Sequence, residues 1–199
     1  MTELFRVTKQ ASPVLLFSSR RNLHRVGVAL ENSGFLIRDV LIWQKDKCNA
    51  KAQRVQKVLH KREIDNSMYD NYRIGNLAPY YEPIIWAMKP YNKTLTDCVL
   101  KNQIGGFYGK DNSIPSNIIS YPSNKKNCYH PTEKPIGLME ALIKIFSISN
   151  EHTILDMFMG SGTTGIAAKK CNRNFIGIEK KNLYFNVAKK RIDKYELFE

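Results

Sequence analysis

Two carboxylates, Asp156 and Glu179, stand on either side of a glycine-rich turn near the C-terminal end of the sequence. The apolar run before Asp156 predicts a strand, and a helix is expected to begin near Thr163 after the turn. A second predicted strand, residues 174–178, leads directly to Glu179. Glycines let the backbone approach a ligand closely, and a carboxylate that ends the next strand accepts hydrogen bonds from both hydroxyls of a ribose. The pattern therefore predicts a βαβ unit that binds a cofactor containing a nucleoside.

A dinucleotide is an alternative ligand, because Gly160, Gly162 and Gly165 match G-x-G-x-x-G. That motif usually places its first glycine directly at the strand end, whereas residues 156–159 intervene here. Asp156 would also bring a carboxylate to the place of the pyrophosphate, and like charges repel. Only residues 179–199 follow, which is short for a second nucleotide-binding half. A turn without a ligand stays open as well, but the pattern favours a cofactor with an adenosine and no pyrophosphate.

The residues around this turn resemble those of a known family, the amino-group DNA methyltransferases, which modify adenine N6 or cytosine N4. Residues 156–164, Asp-Met-Phe-Met-Gly-Ser-Gly-Thr-Thr, resemble its D-x-F-x-G-S-G-T-T cofactor motif. Residues 130–135 resemble the H-P-T-x-K-P segment that precedes this motif in the permuted subgroup. Residues 175–179, with Tyr184 and Ala188 after them, resemble the F-x-G-x-E…Y…A continuation. Residues 81–89 resemble, more weakly, the E-x-x-x-W-x-x-K strand of the same subgroup.

The resemblance implies a Rossmann-like α/β fold, circularly permuted, in one domain over residues 1–199. It implies S-adenosylmethionine as cofactor, DNA as substrate and a place in restriction–modification. It also places Lys134 near the methionine carboxylate of the cofactor, where the opposite charges suit each other. The cofactor-binding residues expected from the motifs are Asp156, Phe158, Gly160, Ser161, Gly162, Thr163, Thr164, Glu179, His130, Thr132 and Lys134.

The charge balance favours a polyanionic partner. The chain has 31 lysines and arginines against 18 acidic residues, a net charge of +13, and each neutralised phosphate releases counterions. Residues 45–62 carry seven lysines and arginines together with His60, and we expect Lys57, Lys61 and Arg62 to contact DNA. A solvated basic surface is the alternative. Residues 91–127 are polar and turn-rich, and a connection of that length is usually functional. The family resemblance implies that this segment is a target-recognition region.

The catalytic motif of the family, [D/N/S]-P-P-[Y/F/W], is absent from the sequence, so we predict no catalytic residue. In the family its acid or amide and its prolyl carbonyl hold the target amine, while the aromatic stacks on the flipped base. Residues 76–81 are the nearest match and lack the acid and the second proline. Residues 1–7 resemble the end of the helix that follows this motif.

We therefore expect the chain to start inside a methyltransferase and to lack two strands. One of them would lie between residues 153–156 and residues 14–18, where a second chain could supply it; poor folding or a rearranged sheet are the alternatives. Two classes of function remain open, a DNA methyltransferase or part of one, and a non-catalytic module that binds cofactor or DNA.

The remaining composition restricts the class of protein. With 199 residues and 43% hydrophobic residues, one globular domain with a core is expected. The four cysteines lack C-x-x-C spacing, which argues against zinc and disulfides and suits a reducing cytosol. We expect a cytoplasmic protein of bacterial or phage origin. No apolar run approaches about 20 residues, so we expect no membrane span.

Overall fold

A computed structural model describes residues 1–48, 51–123, 129–130 and 132–195 of the chain. The strands are β1 (Pro13–Phe17), β2 (Leu36–Gln44), β3 (Gln53–Arg54), β4 (Arg73–Ile74), β5 (Tyr81–Met88), β6 (Ile118–Ser120), β7 (Thr153–Asp156) and β8 (Asn174–Gly177). The α-helices are α1 (Thr2–Val7), α2 (Leu23–Glu31), α3 (Val55–His60), α4 (Leu95–Asn102), α5 (Ile136–Phe146), α6 (Thr163–Lys170) and α7 (Asn182–Lys194).

The strands form a mixed α/β arrangement. The main sheet has the order β1-β5-β2-β6, in which β5 is antiparallel to both β1 and β2, and β6 is parallel to β2. β7 and β8 form a separate parallel pair, and β3 and β4 form a small antiparallel pair. The predicted βαβ unit is thus β7, α6 and β8, with the boundaries expected from the sequence to within one residue.

α5 connects the main sheet to the β7–β8 pair. Its Leu138 and Leu142 are buried against the main sheet, in a cluster with Trp43 and Ile84. Its Ile143 instead packs on α6, in a cluster with the short side chains of α6. Because one helix buries two faces, it fixes the position of the cofactor unit relative to the main sheet.

Among the described strands, β1 and β7 each have one edge without a strand partner. Within the described residues, β1 pairs only with β5 and β7 pairs only with β8. Leu155 of β7 and Met157 pack against the hydrophobic cluster that contains Val14 of β1 and Leu30 of α2, so the two open edges border one core. That a further strand fills the space between β1 and β7 stays a prediction.

The ends of the strands collect at one edge of the main sheet. β1 ends at Phe17 beside Ile84, which lies near the start of β5. β2 ends at Gln44 opposite both Tyr81 and Ser120, the last residue of β6. In α/β sheets, ligands bind outside the carboxyl ends of the parallel strands. We call this edge the carboxyl edge.

Residues 91–127 differ from the expected long connection. They contain α4, which begins with a capping box between Thr94 and Asp97, and the strand β6, which extends the main sheet. Residues 94–97, Thr-Leu-Thr-Asp, match the pattern of a helix start. The sequence analysis did not predict this helix because the segment as a whole is polar and turn-rich. Residues 124–127 lie outside the described residues. A target-recognition role for this segment stays a prediction.

None of the helices that the structure describes is long and apolar enough to cross a membrane.

Candidate cofactor-binding site

The glycine loop, residues 156–164, is closed by Asp156. Its Oδ1 accepts a hydrogen bond from the amide of Phe158 at 3.0 Å, and its Oδ2 accepts one from Thr164 Oγ1 at 2.5 Å. The same carboxylate therefore ties the end of β7 to the first turn of α6. An aspartate that bonds its own backbone two residues on is a common way to stabilise a turn.

Two glycines in the loop have backbone conformations that other residues rarely adopt. Gly160 has φ +53° and Gly162 has φ +82°. A Cβ at Gly162 would lie 3.0 Å from the Cα of Ala188, so α7 packs directly on the loop backbone there. A Cβ at Gly160 would lie 3.6 Å from the ring of His130. Both glycines are thus required by conformation, and Gly162 also by close approach.

Glu179 lies beside this loop, as the sequence predicts. Its Oε2 accepts a hydrogen bond from the amide of Gly160 at 3.1 Å, and its Oε1 accepts one from the amide of Lys181 at 2.8 Å. These two bonds orient the carboxylate and leave further lone pairs on both oxygens. Its use of those lone pairs for a ribose stays a prediction.

His130 and Thr132 are next to the glycine loop. The ring of His130 packs edge-on against the ring of Tyr184 with centroids 4.4 Å apart. Thr132 Oγ1 lies 3.1 Å from His130 Nδ1. The residue between them, Pro131, lies outside the described residues. His130 therefore lies at the loop, with Thr132 beside it, and a role for either residue in cofactor binding stays a prediction.

Lys134 already has a carboxylate partner, which the sequence argument did not anticipate. Its Nζ donates a hydrogen bond to Glu82 Oε2 at 2.7 Å and lies 5.0 Å from the centre of the Phe17 ring. Lys45 shares the same carboxylate through Glu82 Oε1. Lys45, counted among the basic residues of the 45–62 segment, is therefore part of the carboxyl edge. Two lysines on one carboxylate leave one positive charge in excess.

Glu82 is the residue that balances these charges. Burial by itself raises the pKa of its carboxyl, but hydrogen bonds from Lys134 and Lys45 outweigh burial and hold the pKa below its usual value of 4.5. The carboxylate is therefore ionised at neutral pH.

Exposure separates the other predicted cofactor residues into two groups. Phe158 is 77% exposed, so its ring face is free to stack on a ligand. Ser161 and Thr163 are buried, at 3% and 6% exposure, so they shape the loop from within. Sequence reasoning missed Glu133 and Arg191, which hydrogen-bond to Ser161. The two residues are 58 positions apart, so no local sequence pattern indicates that they pair. The position of Arg191 was the available clue, because it lies one helical turn after Ala188, which also packs on the loop.

The predicted DNA-contacting side chains, Lys57, Lys61 and Arg62, are exposed, in or just after α3. The β3–β4 pair and a hydrogen bond from Gln56 Nε2 to the carbonyl of Asn66, at 3.0 Å, hold this insertion together. The insertion leaves the main sheet after Gln44 and returns at Tyr81, so it emerges from the carboxyl edge. Residues 49 and 50 of the predicted basic segment lie outside the described residues.

Comparison with known proteins decides which family has this arrangement. A family model described as DNA methylase, of the N6/N4 type, matches residues 1–190. The chain belongs to this DNA methylase family. Its mixed α/β sheet is the Rossmann-like methyltransferase fold that the sequence predicted, so that prediction is confirmed.

Two relatives of this methylase are named type II methyltransferases. M.HindIII of Haemophilus influenzae is 41% identical over 96% of the chain, and M2.LlaDCHI of Lactococcus lactis is 31% identical over 94%. The chain spans 66% and 62% of the lengths of these two proteins. The solved M1.HpyAVI–SAM complex is also similar to this protein. The match covers 96% of this protein and 79% of the M1.HpyAVI chain, with 28% identity and a TM-score of 0.69.

Proposed function

We propose that this chain binds S-adenosylmethionine at the glycine loop and takes part in methyl transfer to an exocyclic amine of adenine or cytosine in DNA. The observation that carries the proposal is the oriented Glu179 carboxylate, bonded to the amide of Gly160 beside a loop with two positive φ angles. Membership of the DNA methylase family supports it, as do the relatives named as type II methyltransferases.

The residues present fit the cofactor. Glu179 offers acceptor lone pairs for the ribose hydroxyls, and the exposed ring of Phe158 offers an apolar face. The excess positive charge of Lys45 and Lys134 over Glu82 suits a carboxylate at the carboxyl edge. When bound, S-adenosylmethionine supplies a methyl group on a sulfonium sulfur.

DNA is the proposed substrate because of where the basic insertion lies. Lys57, Lys61 and Arg62 are exposed on a unit that emerges from the same edge of the sheet as Lys45. Cations of this kind bind the phosphate backbone without reading its sequence. They therefore hold the duplex near the glycine loop, while recognition of a target base needs other groups.

We propose that the group that holds the target amine comes from outside residues 1–199, because these residues contain no [D/N/S]-P-P-[Y/F/W]. We propose that an extended segment carrying D-P-P-Y pairs with the open edges of β1 and β7. Both strands have an unpaired edge among the described residues, and each buried backbone group left unsatisfied costs about 1–3 kcal/mol. A strand in this position would place its end beside Asp156 at the carboxyl edge.

The test is transfer of labelled methyl groups to duplex DNA of mixed sequence. The full chain is assayed alone, with a separate polypeptide that carries a D-P-P-Y strand, and as a single chain with that segment fused before Met1. The control is the same segment with the aspartate of D-P-P-Y replaced by alanine.

We expect turnover only where the intact segment is present, since misplacing reacting groups by about 1 Å already costs about a hundredfold in rate. Activity with the fusion but not with the separate polypeptide would mean that the segment works only when it is covalently joined to the chain. Cofactor and DNA binding with no turnover in any arm would contradict the proposal and leave a non-catalytic binding module.

A further inference from the structure

We propose that Glu133 and Arg191 are positioning residues that hold the glycine loop in the conformation able to bind the cofactor. The inference deepens the proposed function and rests on it, because it assigns the loop to cofactor binding. Neither residue belongs to the set that the motifs identify, and they lie 58 positions apart in the sequence.

The two side chains hold Ser161 from both sides. Ser161 Oγ donates a hydrogen bond to Glu133 Oε2 at 2.7 Å, and its carbonyl accepts one from Arg191 Nη1 at 2.7 Å. Arg191 also donates from Nη1 to Glu133 Oε2 at 3.2 Å and from Nη2 to Oε1 at 3.3 Å. The side chain and the backbone of Ser161 are therefore both held by a bidentate Arg191–Glu133 ion pair.

Ser161 is the residue where such a restraint acts most strongly on the loop. It stands between Gly160 and Gly162, the two positions with positive φ, where the backbone has the greatest conformational freedom. Fixing the residue between them removes that freedom without adding a side chain where the ligand approaches. The amide of Gly160 is then held toward Glu179, the proposed ribose acceptor.

The ion pair also joins three separate parts of the chain. Glu133 precedes α5, Ser161 lies in the loop after β7, and Arg191 lies in α7. The Glu133 carboxylate also accepts a hydrogen bond from the amide of Tyr129 at 3.2 Å, and the Arg191 guanidinium lies 4.7 Å from the centre of the Tyr129 ring. α7 therefore supports the loop through Arg191 as well as through Ala188.

Burial makes the geometry of this pair specific. The side chain of Glu133 is 6% exposed and that of Arg191 is 15% exposed, so water screens the pair little. The planar guanidinium matches a carboxylate with two parallel donors, which a lysine does not reproduce. Arg191→Lys should therefore keep the charge and lose the restraint on Ser161.

The ion pair between Lys170 and Glu140 provides a matched control. It joins α6 to α5 at 2.8 Å and touches no residue of the glycine loop. The full chain is prepared as wild type, Arg191→Lys, Glu133→Gln, the double variant Glu133→Gln/Arg191→Met, and Lys170→Met. The double variant removes both buried charges together, so it avoids leaving one of them unpaired.

Two quantities are measured for each protein. The first is the hydrogen-exchange rate of the Gly160 and Gly162 amides without cofactor, compared with the exchange of core amides in β5. The second is the dissociation constant for S-adenosylmethionine. We expect faster exchange at the two glycines in the Glu133 and Arg191 variants. We also expect affinity to weaken about tenfold to a hundredfold, as it does at metal sites when residues that orient the ligands are replaced.

Lys170→Met should leave both quantities at their wild-type values. Unchanged glycine exchange in Arg191→Lys and in the double variant, or equal changes in Lys170→Met, would overturn the assignment. If wild type does not bind the cofactor while the variants still accelerate exchange at the glycines, the proposed function fails and the restraint on the loop stands.

Discussion

The amide of Gly160 donates a hydrogen bond to Glu179 Oε2 at 3.1 Å, across 19 residues of sequence. This bond joins the glycine loop after β7 to the acid after β8. It forms because β7 and β8 are parallel neighbours, with Asp156 opposite Gly177, so that both strands end at the same place. The loop and the acid therefore act as one unit, and a change in either should alter the ligand site.

Gly162→Ala should destabilise the fold. Gly162 has φ +82°, and the new Cβ would lie 2.9 Å from the Cβ of Ala188. A non-glycine residue in this backbone region costs about 1–3 kcal/mol, and the contact with α7 adds to that. Urea unfolding measures the change.

Gly27→Ala in α2 is the control. Its Cβ would meet only Ile85 at 4.0 Å, and alanine is favoured over glycine in a helix by up to about 1 kcal/mol. Equal stability of Gly162→Ala and wild type would show that α7 does not pack on the loop as described.

Glu82→Gln should make the protein less stable at neutral pH and flatten its loss of stability in acid. The two lysines hold the pKa of Glu82 below 4.5, which is its value without partners. Because the folded-state pKa is the lower one, the ionised carboxylate stabilises the fold above about 4.5. That stabilisation is lost as the pH falls through the folded-state value.

Urea unfolding between pH 7 and pH 3 checks this prediction. The two side chains of the Glu82–Lys134 pair are 29% and 22% exposed, so we expect a loss of only about 1–2 kcal/mol at pH 7, with the difference closing toward pH 3. Glu151→Gln, which changes an exposed carboxylate in the turn before β7, serves as the control. A difference between Glu82→Gln and wild type that stays constant with pH would contradict the charge cluster.

The sequence predicted contacts within one βαβ unit but not contacts between distant segments. Asp156, Gly160 and Glu179 were placed correctly relative to one another because they belong to one βαβ unit, in which contacts follow chain order. The Glu133–Arg191 pair was missed because it joins distant segments through a contact that only the tertiary fold creates. Lys134 was predicted to be a site residue, and that stays a prediction; its partner Glu82 lies 52 residues away on β5, so the ion pair was not foreseen.

Neutralising the three exposed cations Lys57, Lys61 and Arg62 with glutamine should weaken duplex DNA binding and reduce its salt dependence. Each phosphate contact contributes about 0.9 to the slope of log K against log salt, so losing three contacts should lower the slope by roughly 2–3. Binding is measured by fluorescence anisotropy over a series of salt concentrations.

A variant of equal charge provides the control for the DNA measurement. Lys9, Lys93 and Lys101 are also exposed but lie at the end of the main sheet opposite the carboxyl edge, near Ala11 and Met88. Replacing them with glutamine should change the slope much less. Equal losses in the two triple variants would mean that net charge alone, rather than the insertion between β2 and β5, attracts DNA.

The most direct test of the account is a calorimetric titration of S-adenosylmethionine into the full chain, repeated with Glu179→Ala and with Glu151→Ala as the control. We expect wild type and Glu151→Ala to bind one equivalent with the same affinity. Glu179→Ala should bind about 1–3 kcal/mol more weakly, because the ribose loses its acceptor and the Gly160 amide loses its partner. Equal affinity of wild type and Glu179→Ala would contradict the placement of the cofactor at the glycine loop.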